Sequence, residues 1–316
     1  MERMGTEMTD RRLPLLIPSY NRPGAPLIKL ACELMKDDYP WWVFVRKSQA
    51  RDYLHTAPRQ HLVAMPDDKV GTLGDTRNWM MRWALREGFQ QVFDWDDDVA
   101  RIGRKLPDGT RHESWKSTRN DDPWFDGPGY WEEASRLARQ VFKMYPGTVV
   151  GSIQNQRWAS TATLQVQCGK TPRRTKILNV RRLVENDLWC PPEFRFHGED
   201  IGNLAMYLQY DWQVFTICNL VYDFVSETDI NLPSTLRSRD EEKNRAIHKE
   251  EFDSLQAYDI RDYLRINKAY DDGSYMYGDV DWRKFRKVTG QASYTHEFRA
   301  IMDRVPLRDI PVSIKQ

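Results

Sequence analysis

The sequence has no CxxC pair: its four cysteines, Cys32, Cys168, Cys190 and Cys218, lie far apart in a chain of 316 residues. That spacing supplies neither a zinc site nor a disulfide framework, and it fits reduced, buried thiols. No stretch approaches the ~20 apolar residues of a membrane helix, and the opening MERMGTEMTDRR lacks the apolar run of a signal peptide. The expectation is a soluble, cytoplasmic protein with no membrane partner. An excess of one charge is also missing, because 47 Lys and Arg nearly cancel 46 Asp and Glu. Any signal for a polyanionic partner must therefore be local. There is no internal repeat or low-complexity tract, and nothing in the pattern reads out an oligomeric state.

What is present is enough apolar material, 40% hydrophobic and 12% aromatic, for one large domain or two lobes. Apolar runs at 14–18, 41–45, 61–65 and 90–95 alternate with helical patterns at 25–35 and 72–86. Such alternation predicts an α/β fold with a mostly parallel central sheet flanked by helices, whose ligands gather at the carboxyl ends of the strands. Residues 12–99 form the first predicted half. A polar segment over 100–128 follows, then a second half over 100–232 with a helix at 130–145, strands at 148–153, 162–166, 176–180, 213–216 and 220–225, and a helix at 199–209. Residues 233–316 read as helical, with candidates at 237–264, 282–287 and 295–305.

Four elements carry chemistry. The first is VFDWDDDV, an apolar strand ending in Asp94, Asp96, Asp97 and Asp98. Hard oxygen ligands at a strand end suit Mg²⁺ or Mn²⁺, although an acidic turn can equally be a solvated one. The second is GTLGDTRN, where Gly71 and Gly74 precede Arg77 and Asn78 at a helix start. Glycines admit a phosphate close to the backbone and Arg binds it with two parallel hydrogen bonds. The third is IPSYNRP, which offers Pro18, Ser19, Tyr20, Asn21 and Arg22 near a nucleobase and ribose, or forms an ordinary turn. Asp67 and Asp68 are base contacts or solvated in the same sense. The fourth is RFHGED, where His197, Glu199 and Asp200 precede an amphipathic helix. A carboxylate at a helix N-terminus stays ionised and suits a general base, though capping alone also explains it.

In this order the four elements resemble the GT-A glycosyltransferases, over roughly residues 13–225. The resemblance implies a nucleotide-sugar-binding fold, Asp96 and Asp98 as the metal pair for Mn²⁺ or Mg²⁺, and Asp200 as catalytic base with Glu199 shaping the acceptor site. It also implies a UDP-sugar donor, UDP-glucose first, held by the IPSYNRP residues, Asp67, Gly71, Gly74, Arg77, Asn78, Asp96 and Asp97. His248 and His296 are candidates for a further metal ligand and fit a structural role as well.

More narrowly, IPSYNRP and the ILNVRR…FHGED stretch look like TET-associated glycosyltransferases, enzymes of bacterial viruses and mobile elements that glycosylate 5-hydroxymethylcytosine in DNA. That implies DNA as partner, in an infected bacterial cytoplasm if the gene is viral. Two basic segments fit it: residues 101–119 hold six Lys or Arg against two acids, and residues 173–182 hold five against none. Arg173, Arg174, His197, Trp115 and Trp124 are the acceptor-side candidates, the tryptophans either stacking on an extruded base or packing in a core. Two alternatives remain at this level: a polysaccharide, lipid or protein hydroxyl as acceptor, and a nucleotidyltransferase, which would use two metals on paired carboxylates.

Overall fold

In a computed structural model of the chain, the described residues are 12–35, 38–104, 129–155, 166–168, 171–191, 194, 199–209, 213–225, 241–255, 258, 261–269, 275–281 and 283–284. They form a nine-stranded sheet with helices on both faces, and a separate two-stranded sheet. The first half runs β1 (Leu15–Pro18), α1 (Pro26–Leu34), β2 (Trp41–Arg46), α2 (Ala50–Tyr53), β3 (Leu62–Met65), α3 (Leu73–Arg86) and β4 (Val92–Trp95). It continues through β5 (Val99–Arg104), α4 (Gly129–Met144), β6 (Thr148–Asn155), β7 (Val166–Cys168), β8 (Thr175–Leu178), α5 (Val180–Glu185), α6 (Glu199–Gln209) and β9 (Gln213–Phe224). Then come α7 (Glu241–Ser254), β10 (Leu264–Ala269) and β11 (Tyr275–Val280).

Strand order is β3-β2-β1-β4-β8-β6-β9-β5, with β7 paired to β9. From β3 to β4 every pairing is parallel, as the alternating strands and helices predict. Beyond β4 the sheet turns mixed: β8 runs antiparallel to both β4 and β6, β6 and β9 are parallel, and β5 and β7 lie antiparallel to β9. This is an α/β fold on a mixed central sheet, with parallel strands whose carboxyl ends open on one edge.

Period-two alternation sorts the strand residues between two cores. Leu15, Ile17, Trp41, Val43, Val45, Phe93 and Trp95 face α1 and α4. Leu16, Phe44 and Val92 face the opposite way, toward Met80, Met81, Trp83 and Ala84 of α3 and toward α5 and α6. Asp94 lies between Phe93 and Trp95 and so belongs to this second face, in a position where an apolar strand would carry a hydrophobe. Lys176 stands directly opposite it on β8.

Several expected boundaries move. The strands expected at 213–216 and 220–225 are one twelve-residue strand, β9, buried from Val214 to Cys218 and from Leu220 to Tyr222 with the half-buried Asn219 between. The expected strand at 176–180 stops at Leu178, where the Asn179 side chain caps α5 by accepting from the Arg182 N–H. Of the long helix expected over 237–264, the described residues form α7, with a 3-10 turn at Arg261–Tyr263 and strand β10 after it. Part of the polar segment expected after residue 100 is strand β5. The helix expected at 295–305, and the residues 105–128 and 156–165, lie outside the described residues.

Gly151 on β6 sits in register with Phe215 of β9, and a Cβ there would come within 2.2 Å of the Phe215 ring. Gly151→Ala should cost about 1–3 kcal/mol through this overlap, read as a lower urea midpoint with unchanged slope. An unchanged midpoint would mean that the ring relaxes freely.

Candidate functional site

The carboxyl ends of β1, β2, β3 and β4 bring the predicted loops together. Pro18 ends β1 and Ser19 continues the ladder, its N–H donating to the Phe44 carbonyl at 3.0 Å. The Ser19 hydroxyl donates to Asp97 Oδ2 at 2.5 Å and lies 2.9 Å from the Tyr53 hydroxyl, which accepts from the Arg22 N–H at 3.0 Å. Asn21 takes a left-handed backbone (φ 53°); its backbone N–H donates to Gln49 Oε1 at 3.2 Å, and its side-chain Oδ1 accepts from Gln49 Nε2. Tyr20 stacks under Arg46, whose guanidinium lies 4.4 Å from the ring centroid and donates to the Gly71 carbonyl at 3.0 Å. Asp67 accepts from the Ser48 hydroxyl at 2.6 Å and from its N–H. Asn21, Asp67 and Gly71 are exposed, so this rim meets solvent.

The GTLGDTRN element proves to be a helix start built for packing. Thr72 and Asp75 form a reciprocal capping box on α3. Gly74 lies against the loop before α6, where a Cβ would approach Cys190 Sγ to 2.7 Å. Asn78 locks the same loop, donating to the Cys190 carbonyl at 3.1 Å and accepting from its N–H at 2.8 Å. Arg77, expected at a phosphate, turns inward instead. Its side chain is 4% exposed and meets three carboxylates: Asp94 at 3.1 Å, Asp96 at 2.5 Å and Asp200 at 3.6 Å. Lys176 joins from β8 at 2.5 Å from Asp200. Burial pushes the Asp200 carboxyl up, but the charges of Lys176 and Arg77 outweigh it and hold the group below its ordinary value. Lys176 escapes attention in the sequence because it counts as one more cation in a basic segment. The signal that betrays it is a lone Lys inside the apolar strand TKIL.

The aspartates after β4 divide among these partners. Asp97 faces α1, paired with Arg22 at 2.6 Å and fully buried, and burial lifts its carboxyl to about 7 against the opposing pull of Arg22 and Ser19. Asp98 pairs through Oδ2 with Arg174, and burial followed by the neighbouring Asp96 charge raises it to about 6. The turn itself is fastened by the backbone: Asp96 N–H to the Arg174 carbonyl, Leu27 N–H to the Asp97 carbonyl and Val225 N–H to the Asp98 carbonyl.

A divalent ion is testable against these residues. Among the described residues no group of three His, Cys, Asp or Glu is gathered for a metal. Nucleotide-sugar chemistry does not require one, since a hard cation bound with a diphosphate commonly takes one or two protein carboxylates, with phosphate oxygens and water filling the rest. Asp98 offers what such a site needs: its Oδ1 is buried with no hydrogen-bond partner. Asp96 lies beside it with a side chain 26% exposed. The donor set fits.

The basic segment at 173–182 does not form a phosphate-facing stripe. Arg174 turns to Asp98, Lys176 to Asp200 and Arg181 to Glu185, while Arg182 donates to the carbonyls of Phe142 and Tyr145 at the end of α4 and of Thr148 at the start of β6. Arg173 is exposed. Trp115, Trp124, His197 and His296, and the side chains of Glu199 and His248, lie outside what is described. Arg77→Met would leave three carboxylates around an uncharged side chain and should lower stability by about 3–5 kcal/mol. A drop below about 1 kcal/mol in urea unfolding would show that the cluster does not depend on its guanidinium.

The family model described as TET-Associated Glycosyltransferase matches residues 13–126. No curated protein matches the sequence. Among solved structures, the chain is similar to Staphylococcus aureus TarS 1-349, at 14% identity and TM-score 0.41, covering 78% of this chain and 66% of that one, just short of two thirds. It is similar also to glucosyl-3-phosphoglycerate synthase from Mycobacterium tuberculosis in complex with Mg²⁺ and UDP, at 10% identity and TM-score 0.43, covering 86% and 88%. No helix among the described residues is long and apolar enough to cross a membrane. The matched residues contain both the SYNR loop and the DWDDD turn, set at the open edge of this sheet, so that over residues 13–126 the chain is similar to the TET-associated glycosyltransferases.

Proposed function

We propose that the protein transfers a sugar from a UDP-sugar, UDP-glucose being the first expectation, to the hydroxymethyl group of 5-hydroxymethylcytosine in DNA, with inversion at the anomeric carbon. The observation that carries the reading is the family match over the residues that build the β1 and β4 loops. The rim of Tyr20, Asn21, Asp67 and Gly71 suits the nucleoside, and the buried carboxylates behind it suit the diphosphate end through a cation. Asp96 and Asp98 would hold Mn²⁺ or Mg²⁺, which when bound neutralises the departing diphosphate.

The chain's own residues supply the rest. Asp200, kept ionised by Lys176 and Arg77, accepts the proton of the acceptor hydroxyl. The acceptor oxygen then bonds to the anomeric carbon as the bond to the UDP oxygen breaks, and UDP leaves with that electron pair. Arg77 fixes Asp200 relative to Asp94 and Asp96, so base and cation site move as one unit.

The inward turn of most of the 173–182 cations favours keeping a second acceptor in view, a neutral polysaccharide, lipid or protein hydroxyl. DNA affinity falling steeply with salt supports the first reading, and salt-independent or absent affinity supports the second.

Incubation with Mn²⁺, a panel of UDP-sugars and DNA containing 5-hydroxymethylcytosine should give a hexose-sized mass gain on the modified nucleoside, with inverted configuration. Asp200→Asn should lower the rate about 10²–10⁴-fold with the fold intact. Retained configuration, or an Asp200→Asn enzyme as fast as the parent, would remove the displacement mechanism.

A further inference from the structure

Three arginine–aspartate pairs surround the turn after β4, and they differ in how deeply the arginine is set. Arg77 is 4% exposed in its side chain and Arg22 20%, whereas Arg174 is 31% exposed while its partner Asp98 is only 7% exposed. Arg77 is also shared by three carboxylates, and Arg22 pairs with a carboxylate that has no exposure at all. Of the three arginines, Arg174 has the most exposed side chain.

The anchoring of Arg174 is equally particular. Its backbone adopts the left-handed conformation, φ 48°, and its carbonyl accepts the Asp96 N–H at 2.7 Å. The main chain is therefore tied to the turn, and only the side chain has freedom to move. Its guanidinium rests over the Phe224 ring, 3.8 Å from the centroid, so an aromatic face supports the head group independently of the carboxylate. Asp98 for its part keeps one buried oxygen without a partner.

We propose that Arg174 is an exchangeable internal cation: it neutralises Asp98 when no metal is bound and must yield that carboxylate to a divalent ion. This rests on the metal reading of Asp98 given above and adds a residue that sets the ion's affinity. Burying the Asp98 charge without a partner is costly, so the arginine stabilises the metal-free protein. The same pair opposes the ion, because the metal gains Asp98 only by giving up the Arg174 contact. A guanidinium released beside the site is then a cation without its carboxylate, and the anionic diphosphate of the donor is the partner that its charge selects. Metal and nucleoside diphosphate therefore bind better together than either does alone.

The test is a Mn²⁺ titration followed by electron paramagnetic resonance and calorimetry, with and without UDP, on the parent protein, Arg174→Gln, Arg174→Lys and Asp98→Asn. Thermal melting checks that each variant is folded, and Arg174→Lys serves if Arg174→Gln is not. Without UDP, Arg174→Gln should bind Mn²⁺ about tenfold more tightly than the parent, with Arg174→Lys between them. UDP should strengthen Mn²⁺ binding more in the parent than in Arg174→Gln. Equal or weaker Mn²⁺ binding by folded Arg174→Gln and Arg174→Lys overturns the exchange while leaving the metal site standing. Absence of Mn²⁺ binding in every protein, with UDP present, overturns the metal reading and the exchange together, as does unaltered binding by Asp98→Asn.

Discussion

A guanidinium withdrawn from water is the constraint around which the site is arranged. Arg77 lies on α3 at the helical spacing of Met80, Met81 and Ala84, the stripe that packs on the sheet. Removing an ion of this kind from water costs several kcal/mol unless charge and hydrogen bonds replace the hydration. The replacement comes from Asp94 on β4, Asp96 in the turn and Asp200 at the start of α6. Three elements distant in sequence are thereby held to one another by a group that cannot tolerate their absence. Asn78, one residue further along α3, performs the corresponding neutral task by pinning the Cys190 loop.

This arrangement gives the four aspartates of the turn different work. Strand alternation sends Asp94 to the α3 face, and the turn sends Asp97 to Ser19 and Arg22 near α1. Those two are buried, so their carboxylates hold the β1 and β4 ends in position. Asp96 is partly exposed and shared with Arg77, while Asp98 is buried but keeps one oxygen unpartnered. An acidic run that looks uniform as text is thus two carboxylates that hold strand ends and two that are proposed to meet the cation.

Much of this was legible in the residues, for identifiable reasons. The parallel strands announced themselves because their apolar runs are bounded by loops and separated by helix-length segments, which is a local property. The division of labour was not legible, since it depends on pairings such as Asp94 with Lys176 across β4 and β8. GTLGDTRN carries the composition of a phosphate loop, yet Gly74 is small to admit Cys190 and Arg77 faces the core. The basic run at 173–182 misleads in the same way. A strand followed at once by a helix sends Arg174, Lys176 and Arg182 to three different internal partners, and linear charge density cannot register that. The single strand β9 was split in expectation because Cys218 and Asn219 lack strong strand preference, and they fall where the β6–β9 register shifts between the Ile153–Ile217 and Gln154–Val221 pairs.

The charge balance of the site bears on what it can bind. Its described ion pairs join five carboxylates, Asp94, Asp96, Asp97, Asp98 and Asp200, to four cations, Arg22, Arg77, Arg174 and Lys176. With all of them ionised the cluster is one positive charge short. A nucleoside diphosphate approaching it brings further negative charge to a place where every one of these cations already has a carboxylate. Attraction then has to come from a cation that arrives with the ligand, from an internal pair that opens, or from both. Arg77 is shared three ways under complete burial and Lys176 sits on the proposed base, so opening either would disturb the group it orients. The Asp98–Arg174 pair is the one whose separation frees a carboxylate for a metal and a guanidinium for a phosphate in the same event, while leaving the Arg77 hub intact.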